Sequence, residues 1–378
     1  MRYQPTVFAQ LMKALPRGAV ERLAARHPSG RAKRILGAWG HVASMVVGQL
    51  AGTRSLRDLE RLLERHSGVH AHLGLQAVRR STLADANAGR PCALFEDIAR
   101  QLSSKLDRRG IAGEAVRLID ATRIFAGRRC ASWTASGALK LHIVYDPAGE
   151  RPVCFAVTPE RVNDIAFAKA MPVLAGATYV FDKGYYCFGW WAALAAQGCR
   201  FVTRLKTNSP VRLIAERQPE GEDILFDRVG QLSERLAGQR QNPFCRPLRL
   251  IGVRLHTGRE LTLLSNDLEA PAADIAQLYR MRWQIELFFK WLKQNLKMAH
   301  FLGTSRNAVT IHILAALIAF LLLRLAQQHS PSTIGLQALA RLMPATVLAR
   351  RPLSDLLRPP DPPPQTGPSQ PQLHFAYA

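Results

Sequence analysis

The possible folds of this 378-residue chain are limited most by a change of pattern near residue 114. From there onward, short runs rich in β-branched and aromatic residues alternate with helical stretches, and the runs include VRLID, LKLHIVYD, PVCFAVTP, TYVFDKG and CRFVTRLK. This alternation predicts an α/β core, because helices between strands can cover the faces of the sheet that the strands build. A strand-dense piece at residues 208–266 interrupts the alternation, and we interpret it as a β-rich insertion.

The chain before this core has a helical pattern and a strong positive charge. Residues 1–95 contain 15 Lys and Arg residues against 5 Asp and Glu residues. They predict a small basic all-α domain, followed by a linker helix at 96–113 and an α/β domain at 114–330. The C-terminal segment, 331–378, begins with a helical pattern and ends in a proline-rich tail that we expect to be disordered.

One helix of the basic domain has a recognisable start. The string RRSTLADAN resembles a turn that enters a helix, with Ser81 or Thr82 as the N-cap and Asp85 in the first turn. In a helix-turn-helix domain such a helix enters the major groove of DNA, but it can equally be a packing helix. The sequence leaves both interpretations open.

The whole chain is strongly basic, with a formal net charge of +23 and a pI near 10.7. This excess predicts a polyanionic partner. Nucleic acid is favoured over a membrane surface because the basic residues are dispersed and mostly arginine, and such binding weakens steeply with salt. Dispersed arginine can also reflect GC-rich coding.

Cysteine use and hydropathy indicate a reducing location away from membranes. The six cysteines show no C-x2-C pair and no paired Cys/His spacing, so neither a zinc site nor a disulfide framework is predicted. The N-terminus lacks the unbroken apolar stretch of a signal peptide. The longest apolar run, Ile313 to Leu323, is too short to span a bilayer. We therefore expect a buried helix there and a cytoplasmic protein with no membrane partner.

Two aspartates are predicted at strand ends. Asp120 ends the run VRLID, and Asp182 follows TYVF and begins DKGY. The ends of strands are where α/β proteins place ligand-binding groups, although a lone aspartate there is often a turn former or a helix cap. The two positions together make a ligand site worth testing.

A third acid lies in a helical pattern with one aromatic hydroxyl and two cations. Tyr279, Arg282, Glu286 and Lys293 are spaced Y-x2-R-x3-E-x6-K within QLYRMRWQIELFFKWLKQNLK. At about 100° per residue these offsets fall within a sector of roughly 60°. A single helix would therefore present all four on one face, with Lys290 beside them. By itself this pattern is typical of a solvated stripe of ion pairs.

Taken together, the three acids predict a metal site. Oxygen donors from Asp120, Asp182 and Glu286 could hold two divalent ions about 4 Å apart, one to activate a water and one to stabilise a leaving oxygen. Without metal, mutual repulsion would raise the pKa of at least one acid, and neighbouring cations would partly offset this. The cations expected around the site or facing a phosphate ligand are Lys140, Lys183, Arg204, Lys206, Arg282, Lys290 and Lys293.

These motifs resemble the three catalytic motifs of bacterial insertion-sequence DDE transposases of the type-four group. The resemblance rests on DAT at Asp120, on DKGY at Asp182 and on the Y-R-E-K set, with flanking strings such as RFVTRLKTN and FLGTSRNAVTIHI. It extends over about residues 1–330. It implies a ribonuclease-H-like catalytic core with a β-rich insertion, preceded by a small all-α DNA-binding domain.

The resemblance also implies a role for each motif residue. The three acids would bind two Mg2+ ions, for which Mn2+ can substitute. Tyr279, Arg282 and Lys293 would contact the DNA backbone near the cleavage site. The implied reaction is cleavage of double-stranded DNA at the terminal inverted repeats of a transposon, followed by joining of the freed 3'-OH to target DNA. Because two ends must be paired, the resemblance implies a dimer on DNA.

This chain departs from the family pattern in two places. Lys183 stands where the second motif more often has arginine, which keeps the charge but loses the bidentate fork. Some relatives stack a tryptophan of the β insertion on a flipped base, whereas this chain has no tryptophan between Trp191 and Trp283. The aromatic residues that could take that role, none of which we assign to it, are Phe226, Phe244 and His256.

Other residues near the motifs have structural interpretations. We expect Trp190 and Trp191 to be a packed aromatic pair, and Trp283 and Trp291 to seal the domain. We interpret Asn163 and Asp164 as a helix cap, with a position near the metal site as the alternative.

Two other functions remain compatible with the sequence. One is a nuclease of the same fold that cuts DNA without joining it. The other is a non-catalytic DNA-binding protein that represses its own element, although the presence of all three acids argues against it.

Overall fold

The computed structural model describes residues 4–28, 36–66, 73, 75–106, 115–127, 130, 133, 137–207, 209–235, 241–255, 257–295, 301–329 and 334–358. His256, residues 107–113 of the predicted linker and residues 359–378 of the predicted tail lie outside this part of the chain. The helices are α1 (Val7–Leu11), α2 (Arg17–Arg26), α3 (Ala38–Ala51), α4 (Leu56–Arg65), α5 (Arg80–Gly89), α6 (Ala93–Ser104), α7 (Asp164–Ala170), α8 (Phe188–Ala196), α9 (Ala272–Met281), α10 (Trp283–Asn295), α11 (Arg306–Gln328), α12 (Leu336–Thr346) and α13 (Leu353–Leu357). The strands are β1 (Val116–Phe125), β2 (Ala138–Asp146), β3 (Arg151–Pro159), β4 (Thr178–Phe181), β5 (Arg200–Arg204), β6 (Val211–Arg217), β7 (Ile224–Leu232), β8 (Pro247–Arg254) and β9 (Glu260–Ser265).

All of these strands belong to one mixed sheet, in the order β3-β2-β1-β4-β5-β9-β8-β7-β6. Strand β1 pairs antiparallel with β2 and parallel with β4, and β4 pairs parallel with β5. The predicted α/β class is confirmed, and each strand-like run quoted above coincides with a strand. The connections between the parallel strands pass through helices α7 and α8, as parallel pairing requires.

The strand-dense piece predicted at residues 208–266 forms strands β6 to β9. It extends the sheet rather than standing apart, because β9 pairs antiparallel with β5. A buried ion pair holds its strands together: Arg249 Nε lies 2.8 Å from Asp227 Oδ1, and Arg249 Nη2 lies 2.5 Å from Asp227 Oδ2. At Gly252 the neighbouring Phe226 ring would lie 2.4 Å from an added Cβ, so only glycine leaves room for that ring.

Helix α11 lies at the centre of a large apolar core. It contacts α1, α3, α5 and α6 from the N-terminal part of the chain, and also α10 and α12. One cluster of buried apolar residues runs through all these elements, from Val7 to Leu357. A side-chain hydrogen bond of 2.8 Å between Gln49 and His312 links α3 to α11 inside it. The domain boundaries at residues 95, 113 and 330 stay predictions, and the helices on both sides of them share this core.

The prediction that the apolar run from Ile313 to Leu323 is too short to span a bilayer was wrong. Helix α11 spans 23 residues, and by length and composition it is the one helix in the described chain that could cross a bilayer. Of its most apolar window, 94% is buried inside the protein, so the expectation of a buried helix is confirmed.

The predicted start of the fifth helix was also wrong. Helix α5 begins at Arg80 with Arg79 as its N-cap, and no side chain caps it, so Ser81 and Thr82 lie inside its first turn. Its buried residues, Leu83 among them, pack toward α4 and α11.

Candidate active site

Asp120 does not end its strand, as the sequence had predicted. Strand β1 continues to Phe125, paired with β2 along this stretch. Its parallel pairing with β4, however, stops at Ile119, which is opposite Phe181. Asp120 is therefore the first residue of β1 beyond that pairing. It lies at the carboxyl edge of the parallel strands. The sequence analysis expected a strand end here because it took Asp120 to be the last residue of β1.

Asp182 lies directly beside this position because it follows Phe181. It is the N-cap of a short 3-10 turn, Lys183–Tyr185. On its other side, Val180 is opposite Val202 of β5, and this register brings Arg204 level with Asp182. Arg204 Nη2 lies 3.2 Å from both carboxylate oxygens of Asp182. At the carboxyl edge of the parallel pairing, three adjacent strands thus place Asp120, Asp182 and Arg204 side by side.

The Y-R-E-K set lies on two helices and not on one. Helix α9 ends at Met281 and α10 begins at Trp283, with Arg282 as a turn between them. The backbone bonds there run three residues back: Arg282 N donates to Tyr279 O at 3.1 Å, and Ile285 N donates to Arg282 O at 3.2 Å. This tighter turn keeps Arg282 in a right-handed helical conformation.

Arg282 connects the helices to the sheet. Its Nη1 lies 3.6 Å from Asp120 Oδ2, and its Nη2 lies 2.5 Å from Glu286 Oε1. Its guanidinium lies over the Tyr279 ring, 5.6 Å from the centroid. Burial opposes the charged form, but Tyr279, Glu286 and Asp120 more than offset it and raise the pKa of Arg282. One cation therefore joins two of the predicted acids.

The environment of Asp120 disfavours its negative charge. Burial raises the pKa of this carboxyl from 3.8 to about 6. The hydrogen bond that Ala121 N donates to Asp120 Oδ1, at 2.8 Å, and the charge of Arg282 act in the opposite direction. Glu286 and Asp182 add to the rise, so both of these acids act electrostatically on Asp120.

The donor chemistry of this cluster suits a divalent cation. Within the described ranges, no three Asp, Glu, His or Cys side chains converge at metal-ligand spacing. Arg282 pairs with the carboxylates of Asp120 and Glu286, and Arg204 pairs with that of Asp182. Carboxylates are ligands that Mg2+ prefers, and a second source of positive charge would relieve the unfavourable burial of Asp120.

An open groove of about 830 Å3 begins at Asp182. The cationic residues that line it are Lys183, Arg204, Lys206 and Arg259. Lys183 and Lys206 are exposed, and Lys206 Nζ lies 4.7 Å from the centroid of the Tyr186 ring. The groove offers positive charge along a path that leads to Asp182.

Lys290 and Lys293 lie on α10, one and two turns beyond Glu286, and both are exposed. Partial burial lowers the pKa of Lys293. In the part of the chain that is described, neither lysine forms an ion pair with the three acids. The structure therefore gathers the acids and arginines but leaves these two lysines on the open side of the helix.

The tryptophans divide into two groups. Trp190 and Trp191 are buried against Phe181 and Phe201, so the predicted aromatic pair is confirmed. Trp283 is 59% exposed beside Arg282, so the prediction that it seals the domain was wrong. It is the first residue of α10, next to the turn at Arg282.

Sequence reasoning missed a buried hydroxyl behind the acids. Tyr185 is 1% exposed, and Asp120, Asp164 and Asp182 all act on it. Asp164 heads α7 and pairs with Lys140, with a distance of 2.9 Å between Lys140 Nζ and Asp164 Oδ1. The only sequence signal was the position of Tyr185 in DKGY, three residues after an acid.

Comparison with known proteins gives the family. The model described as a transposase DDE domain matches residues 111–322, and that of a domain of unknown function, DUF4372, matches residues 3–76. A protein of Sinorhizobium fredii named as a transposase, y4zB, is 39% identical over 74% of this chain and 80% of its own length. A Geobacillus stearothermophilus protein, named as a transposase for insertion sequence element IS5377, is 26% identical over 66% of this chain and 68% of its own length.

A shorter match fits the same family. A Synechocystis protein named as a transposase for insertion sequence element IS4SA is 39% identical over 66 residues, which are 17% of this chain and 20% of its own length. The family model covers more than half of the chain and includes all three predicted acids, Asp120, Asp182 and Glu286. The chain belongs to the family of bacterial insertion-sequence DDE transposases, which cleave DNA and generally use divalent metal ions.

Proposed function

We propose that this transposase cuts its element out at the terminal inverted repeats and joins the freed 3'-OH ends to target DNA, with Asp120, Asp182 and Glu286 as the catalytic acids. One observation carries the proposal. The register of β1 and β4 brings two acids side by side, and Arg282 joins the third acid to the first. Each acid comes from a different element, so the arrangement does not follow from local sequence.

The sheet topology supports a ribonuclease-H-like core. Its first five strands have the order β3-β2-β1-β4-β5, and β2 alone runs against the other four. This is the arrangement expected of such a core. The insertion follows β5, and the third acid lies on a helix after the insertion, in the order that the family resemblance implies.

The three acids would hold two Mg2+ ions. When bound, the ions would activate the attacking oxygen and neutralise charge on the leaving oxygen of an in-line phosphoryl transfer. Arg282 and Arg204 hold the acids in the metal-free chain. Once released, each guanidinium can donate two parallel hydrogen bonds to a phosphate, which a lysine cannot do. Tyr279 packs beneath Arg282 and keeps it oriented.

The DNA would follow the groove that begins at Asp182. Lys183 and Lys206 line it, while Lys290 and Lys293 extend the positive surface along α10. The net charge of +23 supports a polyanionic ligand, and the affinity should fall steeply with salt. We place the enzyme in the cytoplasm with the chromosome. A dimer on DNA is part of the proposal because two ends must be paired.

Cleavage of end-bearing DNA by the purified chain with Mg2+ tests the proposal. Wild type is expected to cut at the ends, whereas Asp120→Asn, Asp182→Asn and Glu286→Gln should bind the same DNA and not cut it. Glu222→Gln is the matched control, because this acid lies exposed in the turn between β6 and β7. Equal cleavage by wild type and the three acid variants would contradict the proposed site.

Joining distinguishes a transposase from the alternatives. Pre-cleaved ends with free 3'-OH groups should be joined to target DNA by wild type. Cleavage without joining would indicate a nuclease of the same fold. Tight binding without cleavage, in wild type as in the acid variants, would indicate a DNA-binding repressor.

A further inference from the structure

Arg90 is a buried cation with an unused donor. It is the C-cap residue of α5, and only 4% of it is exposed. Its Nη2 donates to Leu36 O at 2.8 Å, whereas its Nη1 is buried and has no hydrogen-bond partner among the described residues. Burial lowers the pKa of Arg90, and the charge of Glu21 offsets only part of this. Because a buried charge without a partner destabilises a fold, this arrangement indicates an anionic ligand.

The same guanidinium borders a cavity of about 300 Å3. Gly37 and Ala38, at the start of α3, line this cavity together with Arg90. The bond from Arg90 to Leu36 O holds the residue directly before them, so the guanidinium lies next to the first turn of α3. Donors from two elements that are distant in sequence therefore meet at one cavity.

The first turn of α3 offers backbone donors to this cavity. The N-cap of this 14-residue helix is Gly37, which has no side chain to cap the first N–H groups. Such groups have no partner inside a helix, and the helix dipole adds partial positive charge to them. Glu21 Oε1 accepts from Trp39 N, but the distance is 3.4 Å and Glu21 is exposed. A helix N-terminus beside a guanidinium suits a phosphate group.

Exposed arginines lie close to this cavity. Arg22 and Arg26 of α2 and Arg100 of α6 line a second cavity, of about 350 Å3, and all three are exposed. Helix α2 borders both cavities, since Glu21 lines the first one. Cations next to a phosphate site suit a polymer with many phosphates, whereas a single phosphate ion would use only the buried donors. The surroundings therefore favour a nucleic acid backbone.

We propose that Arg90 and the N-terminus of α3 form a phosphate-binding site, which takes a backbone phosphate of the DNA that the transposase binds. The site is independent of the proposed function, and only DNA as the source of the phosphate rests on it. In the free chain, the Glu21 carboxylate stands in for the phosphate at the helix N-terminus. A bound phosphate displaces this carboxylate and accepts from Arg90 Nη1 and from the backbone of α3.

Binding of inorganic phosphate to the full-length chain, measured by isothermal titration calorimetry at constant ionic strength, tests the site without DNA. Gly37→Asp puts a carboxylate at the N-cap, where an added Cβ meets no atom within 4 Å. This carboxylate caps the helix and repels the ligand. Wild type should therefore bind one phosphate that the variant binds about 10-fold more weakly or not at all. The variant should unfold no more easily than wild type.

Gly335→Asp is the matched control. Gly335 is the N-cap of α12, again without a side-chain cap, and an added Cβ there also meets no atom within 4 Å. The control adds the same charge to another helix N-terminus, so it should bind phosphate as wild type does. Equal phosphate binding by wild type and Gly37→Asp would overturn the site. An equal loss in both variants would show a general effect of charge and would overturn it as well.

Glu21→Gln separates the proposed site from a structural pair of Glu21 with Arg90. Removing the competing carboxylate should tighten phosphate binding, because the ligand no longer displaces an acid. Unchanged or weaker binding would show that Glu21 is itself the partner of Arg90, and the inference would be overturned.

The salt dependence of DNA binding identifies the source of the phosphate. With DNA that carries the ends of the element, the loss of one backbone contact reduces the slope of log K against log salt by about 0.9. Gly37→Asp should show this reduction, and Gly335→Asp should not. If Gly37→Asp loses phosphate binding but keeps the wild-type slope, the site takes a free phosphate ion, and the assignment to DNA is overturned. Because phosphate binding is measured without DNA, a chain that fails to cut DNA would still decide whether the site exists.

Discussion

Replacing Asp120 by asparagine should make the metal-free protein more stable. Burial raises the pKa of this carboxyl from 3.8 to about 6, so at neutral pH the folded chain carries a charge that its surroundings disfavour. Asparagine has nearly the same shape and no charge. Its side-chain oxygen can still accept the bond from Ala121 N, which Asp120 Oδ1 now accepts at 2.8 Å.

The size of the effect follows from the two pKa values. The gap between 3.8 and about 6 corresponds to about 3 kcal/mol of unfolding free energy at neutral pH. Asparagine also loses the 3.6 Å contact with Arg282, which removes part of the gain. We expect a net increase of about 1–3 kcal/mol.

The stability gained by Asp120→Asn should increase with pH. Below 3.8 the carboxyl is protonated in both the folded and the unfolded chain, so it contributes no difference. As the pH rises toward 6, the unfolded chain loses the proton first, and the wild type is progressively destabilised. Above that range the difference is constant. The advantage of Asp120→Asn should therefore be about half as large at pH 5 as at pH 7.5.

Thermal unfolding in EDTA at these two pH values measures the effect. With an unfolding entropy of about 2.1 cal/mol/K per residue, the expected gain raises Tm by roughly 1–4 °C at pH 7.5. Glu222→Gln should leave Tm unchanged at both pH values, because its side chain is exposed. A variant that melts at or below the wild-type temperature, or a gain that is equal at both pH values, would refute the reasoning.

Three other outcomes can be checked by denaturant unfolding. His41 and His312 are fully buried with pKa values lowered to about 3, so acid pH protonates them only in the unfolded chain; each should remove about 2 kcal/mol of stability at pH 5 relative to pH 7.5, and the fall in a His312→Leu variant should be smaller than in wild type by about that amount. Asp227→Asn should lose about 3–5 kcal/mol, because it leaves the buried guanidinium of Arg249 without its partner; an unchanged midpoint would contradict this. Gly252→Ala should lose about 1–3 kcal/mol by displacing the phenylalanine ring of the neighbouring strand, and a stable variant would show that the ring can move at little cost.

The periodicity of apolar residues predicted most helices and strands, but it did not predict the residues at which they begin and end. The strand-like run that stops at Asp120 continues to Phe125, because pairing with β2 carries the backbone further than the apolar pattern does. The predicted position of Asp120 at the edge of the parallel strands nevertheless agrees with the register. Strand pairing with a partner distant in sequence set the boundary, and a local pattern does not contain that information.

The arrangement of the site needed the tertiary structure. Sequence spacing put Arg282 and Glu286 on one face, and they are in contact. It gave no indication that Arg282 would form a turn between two helices, and it expected Trp283, which is exposed, to seal the domain. The burial of Tyr185 was missed because it depends on packing against aromatic residues of other elements.

The position of α11 has a consequence for shortened copies of the gene. This helix begins at Arg306, yet it covers the apolar sides of α3 and α6, which are made from the first hundred or so residues. A reading frame interrupted before codon 306 would encode N-terminal helices with that surface bare. Such a product should aggregate or be degraded. It would then not compete with the intact transposase for the ends of the element. Decayed copies in a genome would then leave their intact relatives uninhibited.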